Sequence, residues 1–596
     1  MPQQQKDQHS KKRKSDDVSA KSQKRALKQE RQSHRKHADC VTEAKKIWNQ
    51  LRLKNNSKEE TRKMTEELMA LIKGKTTEIA LQHDASRVVQ AALQFGTNDE
   101  RKEILSELCD NSNTKKVAGA ASSGSAFVEL ARNQYAHFVV LKAIKYGVHS
   151  PDCIRLIVKS LKGHMAKLAV HATGAKVVEA LVQTFPNKST APLRQEFYGP
   201  QLSLFVNDLA AASAGTNNQT PDLAFHFQNL NDKKKETALT FIRNQILEKG
   251  IEKSLFGYNY YQSVFAEYVT HCSPHQVRDI APSVCDHAVH FLSSKAGTKV
   301  VAACVAYGTA KDRRRICKSL KGYSRSALLH RDAYLAILRL VQVMDDTVSV
   351  QKYVFHELLT RKDGDDDDDD SDPLLEIALH DLAYKLFVML LTSNKDDWKK
   401  SFDPYELSVL EPNPPMIQEG GQMVPTSKKD PETRRQELAQ HLQKPLIELC
   451  TNHARELMTS LSGSVLIRLV YANYHPTDLV EAIVKVCEDE LTKKDDEEGS
   501  LYEDRVGHLA IKNLILCDVE EEEPLLAKAF CDKLKDQLME IAKSNRGAFV
   551  VAALCKIPSV RKSVVEKVKK QVPMLKKRMG DKAHAGFQTL LKEIEK

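Results

Sequence analysis

Pairs of adjacent apolar residues recur along this chain inside segments whose other apolar residues follow helical spacing. Each pair lies between polar or small residues, which on a helix places the pair on one face and its neighbours on another. The residues that directly precede the last three pairs, Ser263, Lys299 and Leu335, are 36 residues apart. A repeat near this length predicts a solenoid of helical repeats, each of which buries its apolar face only against its neighbours. Aligned on the apolar pairs, the cores are 86–90, 136–140, 175–179, 262–266, 298–302 and 334–338.

The polar residues beside the first pair, Val88-Val89, have the chemistry of a nucleic-acid contact. Ser86, Arg87 and Gln90 share a neighbouring helix face; Gln90 offers both donor and acceptor, and the planar Arg87 guanidinium can stack on a base. The same alignment gives His137, Lys176 and Lys299 at the position of Arg87, and lysine contacts phosphate without reading sequence.

The remainder of the chain shows helical patterns and no strand pattern, so we expect an all-α protein. A first helix is predicted from about Thr42, and a strongly apolar one over Leu382–Leu391. Loops are predicted over Asn111–Ser125, Ala210–Thr220 and Pro404–Pro431. Later cores centre on Gly463, Gly507 and Gly547, with a degenerate one near Gly586, and His171 and His330 are interpreted as helix-face or capping residues.

The charge is distributed unevenly. Of the net +11, residues 1–36 contribute +8, from 12 Lys/Arg and 4 Asp/Glu, and the rest includes eight Asp between Asp363 and Asp372. A basic body with a basic tail indicates a polyanionic partner, whereas we interpret the acidic run as a solvated loop. Further candidate phosphate contacts are Arg313, Arg314, Arg315, Lys318 and Lys321, and residues 561–582 carry nine Lys/Arg against two acidic residues.

The N-terminal tail has almost nothing to bury and is predicted to be disordered. Its basic clusters, Lys11, Lys12, Arg13 and Lys14 followed by Lys24 and Arg25, are typical of a nuclear or nucleolar import signal.

Twelve isolated cysteines without a Cys-x-x-Cys pair favour a reducing compartment, and neither a membrane span nor a secretory leader is apparent. No phosphate-binding glycine loop, zinc motif or nucleophile motif occurs, so we expect no enzyme, no cofactor and no metal.

Eight segments in this order resemble the Puf-A/Penguin-like branch of the Pumilio (Puf) RNA-binding family. They are 85–90, 163–165, 174–179, 194–199, 297–301, 311–316, 345–347 and 545–551. The resemblance implies a solenoid of Puf-type repeats in an L-shaped pair of arms with a Penguin-like C-terminal region. We therefore predict a disordered tail over 1–44, a Puf-repeat array over 45–372 and a C-terminal region with further Puf-like repeats over 373–596.

The resemblance further implies a nuclear and nucleolar protein that binds RNA largely without base preference and acts in ribosomal RNA processing and assembly of the large ribosomal subunit. Ribosomal precursor RNA and pre-ribosomal proteins are the implied partners, with messenger RNA and duplex DNA as further candidates, and we expect a monomer. The residues agree with RNA binding that does not depend on base sequence. Only the first core combines Ser, Arg and Gln, the kind of side-chain set that can recognise a base. A Pumilio-type messenger RNA regulator of translation and a HEAT- or armadillo-like protein-binding solenoid remain alternatives. The sequence does not specify the RNA site, the assembly stage or a role for Asp363–Asp372.

Overall fold

The computed structural model describes residues 36–53, 55–110, 125–203, 222–228, 230–360, 372–392, 397–492, 500–579 and 584–596. The import signal and the run Asp363–Asp370 lie outside these residues, as do most of the loops predicted over 111–125 and 210–220. The chain forms two compact units, which meet in sequence at His271 and Cys272. The boundary predicted after residue 372 refers to a change of repeat pattern and stays a prediction.

Unit 1 is helical throughout its described residues. Its helices are α1 Ala38–Leu51, α2 Lys58–Ile72, α3 Thr76–Ala80, α4 Ser86–Phe95, α5 Asn98–Leu108, α6 Ala126–Arg132, α7 His137–Gly147, α8 Pro151–Leu161, α9 Met165–Ala169, α10 Gly174–Thr184, α11 Asn187–Arg194, α12 Pro200–Ser203, α13 Leu223–Phe227, α14 Asp232–Phe241, α15 Glu248–Glu252 and α16 Asn259–His271. A 3₁₀ turn at Gln195–Tyr198 follows α11, and a π-helical turn at Ile242–Leu247 joins α14 to α15.

Unit 2 continues the helical pattern and contains one small hairpin. Its helices are α17 Pro274–Val284, α18 Ala288–Phe291, α19 Lys295–Tyr307, α20 Ala310–Ser319, α21 Ser324–Leu329, α22 Tyr334–Val343, α23 Thr347–Val350, α24 His356–Leu359, α25 Pro373–Leu379, α26 Lys385–Leu391, α27 Pro404–Leu410, α28 Pro431–Asn452, α29 Ala454–Thr459, α30 Leu461–Tyr474, α31 Thr477–Thr492, α32 Gly507–Leu516, α33 Leu525–Leu534, α34 Leu538–Ile541, α35 Asn545–Leu554, α36 Pro558–Met579 and α37 Ala585–Glu595. The strands are β1 Met416–Glu419 and β2 Gln422–Pro425, and short 3₁₀ or π turns occupy Cys285–His287, Gln351–Phe355, Asp397–Ser401 and Cys517–Val519.

The repeat is a three-helix unit, seen most simply in α3–α5, α6–α8 and α18–α20. A short first helix leads into a second helix with a buried apolar pair, such as Val88-Val89 or Val177-Val178. The third helix starts at a Ser or Thr whose side chain caps it, as Thr97, Ser150 and Thr309 do for α5, α8 and α20. Successive second helices pack side by side, α4 against α7 and α7 against α10. The predicted all-α solenoid of Puf-type repeats is therefore confirmed.

A second recurring contact joins the third helix of one repeat to the turn before a first helix. Glu196 accepts the backbone N–H groups of Gly163 and Met165 at 2.6 and 2.8 Å. Glu357 accepts those of Gly322 and Ser324 in the same way. The two glycines have φ of +85°, a conformation that L-residues with a Cβ rarely adopt. Gly163 and Gly322 therefore hold equivalent positions in their two repeats.

The segment predicted as a loop over Pro404–Pro431 is structured, and this prediction was wrong. It contains α27 and the antiparallel β1–β2 hairpin, whose turn is Gly420-Gly421 with positive φ at both residues. The helix begins with a capping box between Asp403 and Glu406. The expectation of a chain without strands is corrected at this hairpin. We call residues 397–430, which lie between α26 and α28, the insertion.

Three buried arginines hold the insertion against unit 2. Arg313 donates to Thr426 Oγ1 at 2.8 Å, Arg339 donates to the carbonyl of Pro412 at 2.8 Å, and Arg434 donates to Ser427 Oγ at 2.9 Å. Each of these side chains is only about 1% exposed. Other N–H groups of Arg313 and Arg434 donate to backbone carbonyls, including those of Val305 and Met344, which offsets part of the cost of burying charged donors. The Nε of Arg339 is buried without a hydrogen-bond partner.

Candidate nucleic-acid interface

A capping side chain fixes the register of the second helix in eight repeats. The capping residue accepts the backbone N–H of the residue three positions later, and the capping atom is a carboxylate, amide or hydroxyl oxygen or a histidine Nδ1. The capping residues are Asn133, His171, Ser294, His330, His380, Ser460, Asp504 and Ser544. The capping roles predicted for His171 and His330 are confirmed.

The residue five positions after the cap occupies an equivalent place in every repeat, and we call it the central residue. We call the residues four and eight positions after the cap the flanking residues, because they border the central one on the same helix. Arg87 and Ser263 occupy the central position in the two repeats that lack such a capping side chain, as their burial pattern shows. The central residues in chain order are Arg87, Phe138, Lys176, Ser263, Lys299, Leu335, Lys385, Val465, Leu509 and Phe549.

This register corrects the predicted contact in the second repeat. His137 is only 3% exposed, whereas the next residue, Phe138, is 50% exposed. His137 donates its Nδ1–H to the carbonyl of Asn133 at 3.1 Å, and burial lowers the pKa of its ring. The sequence alignment was wrong by one residue because Phe138-Val139 is as apolar a pair as Val139-Val140, and only the fold shows which pair is buried.

The first repeat presents an arginine beside an aromatic ring. Arg87 is exposed, and its Cζ lies 5.8 Å from the centroid of the Trp48 ring, which Arg52 also approaches at 4.9 Å. Ser86, predicted as a base contact, is 3% exposed and faces the carbonyl of His83. Of the predicted trio, only Arg87 and the half-buried Gln90 therefore reach the surface.

The second repeat adds aromatic surface that the sequence prediction missed. Phe138 is half exposed, and Tyr135, in the turn before α7, is 37% exposed. The Tyr135 ring meets His83 of the first repeat edge to face, with centroids 4.6 Å apart. Exposed aromatic rings are where unpaired bases stack in proteins that bind single strands. An exposed Phe immediately before a Val-Val pair was the available indication.

The third repeat contributes a cation and uses its flanking carboxylate for structure. Lys176 is exposed at the central position, and its charge contributes to the lowered pKa of His137 in the preceding repeat. Glu179 accepts the backbone N–H groups of Asn259 and Tyr260 at 3.0 and 3.1 Å, which caps α16. The one acidic flanking residue of unit 1 therefore holds a neighbouring helix in place.

The basic residues predicted in unit 2 divide between surface and interior. Arg313 is buried, with its Nε donating to the carbonyl of Val305 at 2.8 Å, and burial lowers its pKa to about 10, so it stays charged at neutral pH. The nucleic-acid contact predicted for Arg313 is thus contradicted. Arg314, Arg315, Lys318 and Lys321 belong to α20 or the turn after it, whereas Lys299 belongs to α19.

The other predicted cations of unit 2 differ in exposure and in whether a carboxylate holds them. Arg315 is held by Asp286, with Nε 3.1 Å from Oδ1, while Lys318 and Lys321 are exposed. Lys299 is half-buried, and burial lowers its pKa. Of these four residues only Lys299 holds a central position, whereas Arg315, Lys318 and Lys321 belong to the third helix of the repeat or the turn after it.

In the sixth and seventh repeats the insertion covers the central residues. Leu335 is 2% exposed because α27 packs against α22. Lys385 is 9% exposed, and its Nζ lies 2.6 and 2.8 Å from the two carboxylate oxygens of Glu406. Tyr334 donates its hydroxyl to the same carboxylate. The chain itself therefore occupies this face in these two repeats.

No group of three or more His, Cys, Asp or Glu able to hold a metal ion occurs within the described ranges. Within the same ranges, no helix is long and apolar enough to cross a membrane.

Comparison with known proteins identifies the repeats. Residues 76–109 and 126–158 match the Pumilio-family RNA binding repeat, and residues 406–524 match the CPL (NUC119) domain. Human Pumilio homolog 3 is 26% identical over 593 residues, which cover 96% of this chain and 82% of that protein. The crystal structure of human Puf-A superposes with a TM-score of 0.73 at 24% identity, covering 93% of this chain and 99% of the other. The crystal structure of human Puf-A in complex with DNA gives the same TM-score and identity, with coverages of 94% and 100%.

The fold and the repeat matches together define a protein of the Pumilio-repeat class. The order of Pumilio repeats followed by a CPL domain, together with the similarity to human Pumilio homolog 3 over 96% of the chain, supports a Puf-A-like Pumilio branch.

Proposed function

We propose that this protein binds RNA mainly through its phosphates and through unspecific stacking, using the exposed central residues of the first three repeats. The observation that carries the proposal is the set Arg87, Phe138 and Lys176, which are exposed at equivalent positions of adjacent second helices. Guanidinium and phenyl groups stack on any base, and an ammonium group contacts any phosphate. Such a surface can bind RNA without distinguishing one base sequence from another.

The flanking positions support the absence of a code. Reading a base edge needs a donor and acceptor pair on both sides of the central residue in repeat after repeat. Here the paired flanking residues are Ser86 and Gln90, His137 and Leu141, Ala175 and Glu179, and Gln262 and Ala266. Ser86, His137, Ala175 and Gln262 are buried, and Glu179 is engaged with α16. Of these flanking residues, Gln90 is the one that can still distinguish one base from another. Recognition of a single base does not determine where along an RNA the protein binds.

We further propose that the bound RNA is ribosomal precursor RNA and that the protein acts in the nucleolus in assembly of the large ribosomal subunit, together with pre-ribosomal proteins. Similarity to the Puf-A-like branch and the basic tail with Lys11–Lys14 and Lys24-Arg25 support this proposal. Human Puf-A has been crystallised with DNA, so duplex DNA is a further candidate ligand for this chain.

The binding proposal is tested by titrating the full chain with several unrelated single-stranded RNAs and one DNA duplex over a series of salt concentrations. We expect comparable affinities for all the RNAs and a steep loss of affinity with salt, with a log–log slope of roughly −0.7 per phosphate contact on a single strand. Lys176→Ala should weaken binding to every RNA alike and flatten the slope by about one contact. Lys159→Ala is the matched control, since Lys159 is an exposed lysine on a third helix, α8.

Two results would contradict the proposal. A strong preference for one short sequence that disappears in Gln90→Ala would identify a base-reading protein of the kind that regulates messenger RNA. Affinity that is indifferent to salt would remove the electrostatic contribution and favour a solenoid that binds proteins.

The location is tested separately by deleting residues 1–36 and imaging the distribution of the tagged protein. Loss of nucleolar accumulation is the expected result, with a folded body that still binds RNA in vitro through Arg87, Phe138 and Lys176. An unchanged nuclear distribution would show that the import determinant lies elsewhere in the chain.

A further inference from the structure

The central positions change character in the eighth to tenth repeats. Where unit 1 exposes Arg87, Phe138 and Lys176, these repeats carry Val465, Leu509 and Phe549 on α30, α32 and α35. Leu509 is 42% exposed and Val465 and Phe549 are half-buried. Leu461, one helical turn before Val465 on the same face, is 73% exposed. Because α30 packs against α32 and α32 against α35, these four residues lie along one surface, which we call the apolar strip.

Cations border the apolar strip. Arg468 and Lys512 follow Val465 and Leu509 by three residues, which places them at the second flanking position. The helices α30, α32 and α35 lie entirely within the described residues and contain no Asp or Glu, while they carry Arg468, Lys512 and Arg546. These helices therefore combine aliphatic anchors with cations and carry no carboxylate of their own, although Asp504, in the turn before α32, interacts with Arg546.

In the sixth and seventh repeats, a segment of the chain itself packs on the helix face that carries the central residues. There Leu335 and Lys385 occupy the central positions, and both are covered by the insertion. The short helix α27 brings a carboxylate, Glu406, to Lys385 and buries its own Val409 and Leu410. Tyr405 of the same helix lies over Lys295, with Nζ 3.4 Å from the ring centroid. A short amphipathic helix with one carboxylate is thus the segment that this chain itself packs on the equivalent surface.

We propose that the apolar strip is a docking surface for a short amphipathic segment of a partner protein that carries Leu-, Ile- or Phe-type anchors and carboxylates. The anchors pack on Leu461, Val465 and Leu509, and the carboxylates pair with Arg468 and Lys512, as Glu406 pairs with Lys385 within the chain. Apolar centres bordered by charge are the usual anatomy of such sites. This inference goes beyond RNA binding and does not depend on it.

The side chains favour a protein partner over a nucleic acid. Leu461, Val465 and Leu509 have no π-face, and base stacking relies on aromatic rings or guanidinium planes. The aromatic member of the strip, Phe549, is half-buried, whereas Phe138 at the equivalent position of the second repeat is exposed. A large exposed leucine such as Leu461 costs solubility unless something covers it, and contiguous exposed apolar residues mark interaction surfaces. The cations then select acidic segments and reject basic ones, which gives the site its specificity.

The proposal is tested by selecting a displayed library of random peptides against the full-length protein and measuring the affinities of the enriched peptides. We expect peptides with apolar residues at helical spacing and at least one Asp or Glu near them. Leu509→Asp should weaken them at least tenfold, and the double variant Arg468→Glu/Lys512→Glu should weaken them about fivefold or more. Val348→Asp is the matched control, because Val348 is an apolar residue of unit 2 that is 68% exposed on α23, away from the second helices.

The same variants separate the possible outcomes. Circular dichroism and thermal melting establish that Leu509→Asp remains folded, and its RNA titration should match that of wild type. Enrichment of peptides without acidic residues, or binding that Leu509→Asp leaves unchanged, overturns the proposal. If Leu509→Asp weakens RNA binding as much as Lys176→Ala does, the apolar strip is part of the nucleic-acid surface instead.

Discussion

Glu406 places both of its carboxylate oxygens within 2.8 Å of Lys385 Nζ, in a site where the two residues are 2% and 9% exposed. Lys385 holds the position that Lys176 holds in the third repeat, so a carboxylate from the insertion stands where a phosphate would approach an exposed lysine. Asp403 N–H donates to the same carboxylate at 2.7 Å, which orients it. The seventh repeat is therefore closed to nucleic acid at its central position by its own chain.

Removing the charge of Glu406 should destabilise unit 2 strongly, because it leaves the buried ammonium group of Lys385 without a counter-ion. Glu406→Gln is expected to cost about 3–5 kcal/mol, seen as a lower melting temperature and faster proteolysis between residues 397 and 430. The double variant Lys385→Met/Glu406→Leu should recover most of that loss. A melting temperature for Glu406→Gln equal to that of wild type would show that the pair is unimportant.

Arg313 should behave as a structural residue. Arg313→Ala removes a buried donor group from the carbonyls of Val305 and Ala306 and from Thr426, and should cost at least about 2 kcal/mol. Arg313→Lys should rescue little, since an ammonium group cannot reproduce the planar fork of the guanidinium. The neighbouring Arg314→Ala, at an exposed residue, is the control for stability. Normal stability of Arg313→Ala together with reduced RNA affinity would restore Arg313 as a nucleic-acid contact.

Acid should weaken unit 1 through His171. Burial, with Arg132 and Lys253 nearby, lowers the pKa of His171, although Glu129 acts in the opposite direction. Its Nδ1 also accepts the N–H of Gly174 at 3.2 Å, which a protonated ring cannot do. The unfolded chain therefore binds the proton more readily, so this stabilisation is present above a pH of about 6.5 and is lost as the pH falls below it.

The measurement is the melting temperature from pH 8 to pH 5 for wild type and His171→Asn. Asparagine caps the helix in the same way and does not titrate, so the variant should lose less stability in acid than wild type. Parallel curves for the two proteins would exclude His171 as a source of acid sensitivity.

The corrected register of the second repeat predicts which of two adjacent residues contacts RNA. Phe138→Ala should weaken binding to single-stranded RNA by about 1–3 kcal/mol, the usual range for one stacked base, without changing the salt slope. Phe138→Trp should retain binding because it keeps the ring. Equal affinity for Phe138→Ala and wild type would remove stacking from the proposed mechanism and leave phosphate contacts alone.

Much of the fold could be predicted from local sequence. The buried pairs Val88-Val89, Val177-Val178 and Val300-Val301 recur at helical spacing, and such periodicity is a property of the segment itself. The capping histidines His171 and His330 were recognisable for the same reason, since a cap involves residues three positions apart. The central residues Arg87, Lys176 and Lys299 followed from that register.

The features that the sequence did not reveal depend on contacts between residues far apart in the chain. Helical periodicity is satisfied whether His137 or Phe138 is the exposed residue of α7. Which of the two is exposed depends on the side of α7 that packs against neighbouring helices. The local sequence around Arg313 is that of a surface helix, and its burial depends on a hydrogen bond to Thr426, which lies 113 residues later in the chain.

The sequence by itself thus determined that this is an all-helical repeat protein with cations on several second helices, because repeat length and helix periodicity are local properties. The tertiary structure decided which of those helix faces are open. Arg87, Phe138 and Lys176 are exposed, whereas Leu335 and Lys385 at equivalent positions are covered, because an insertion distant in sequence buries its apolar residues and Glu406 against them.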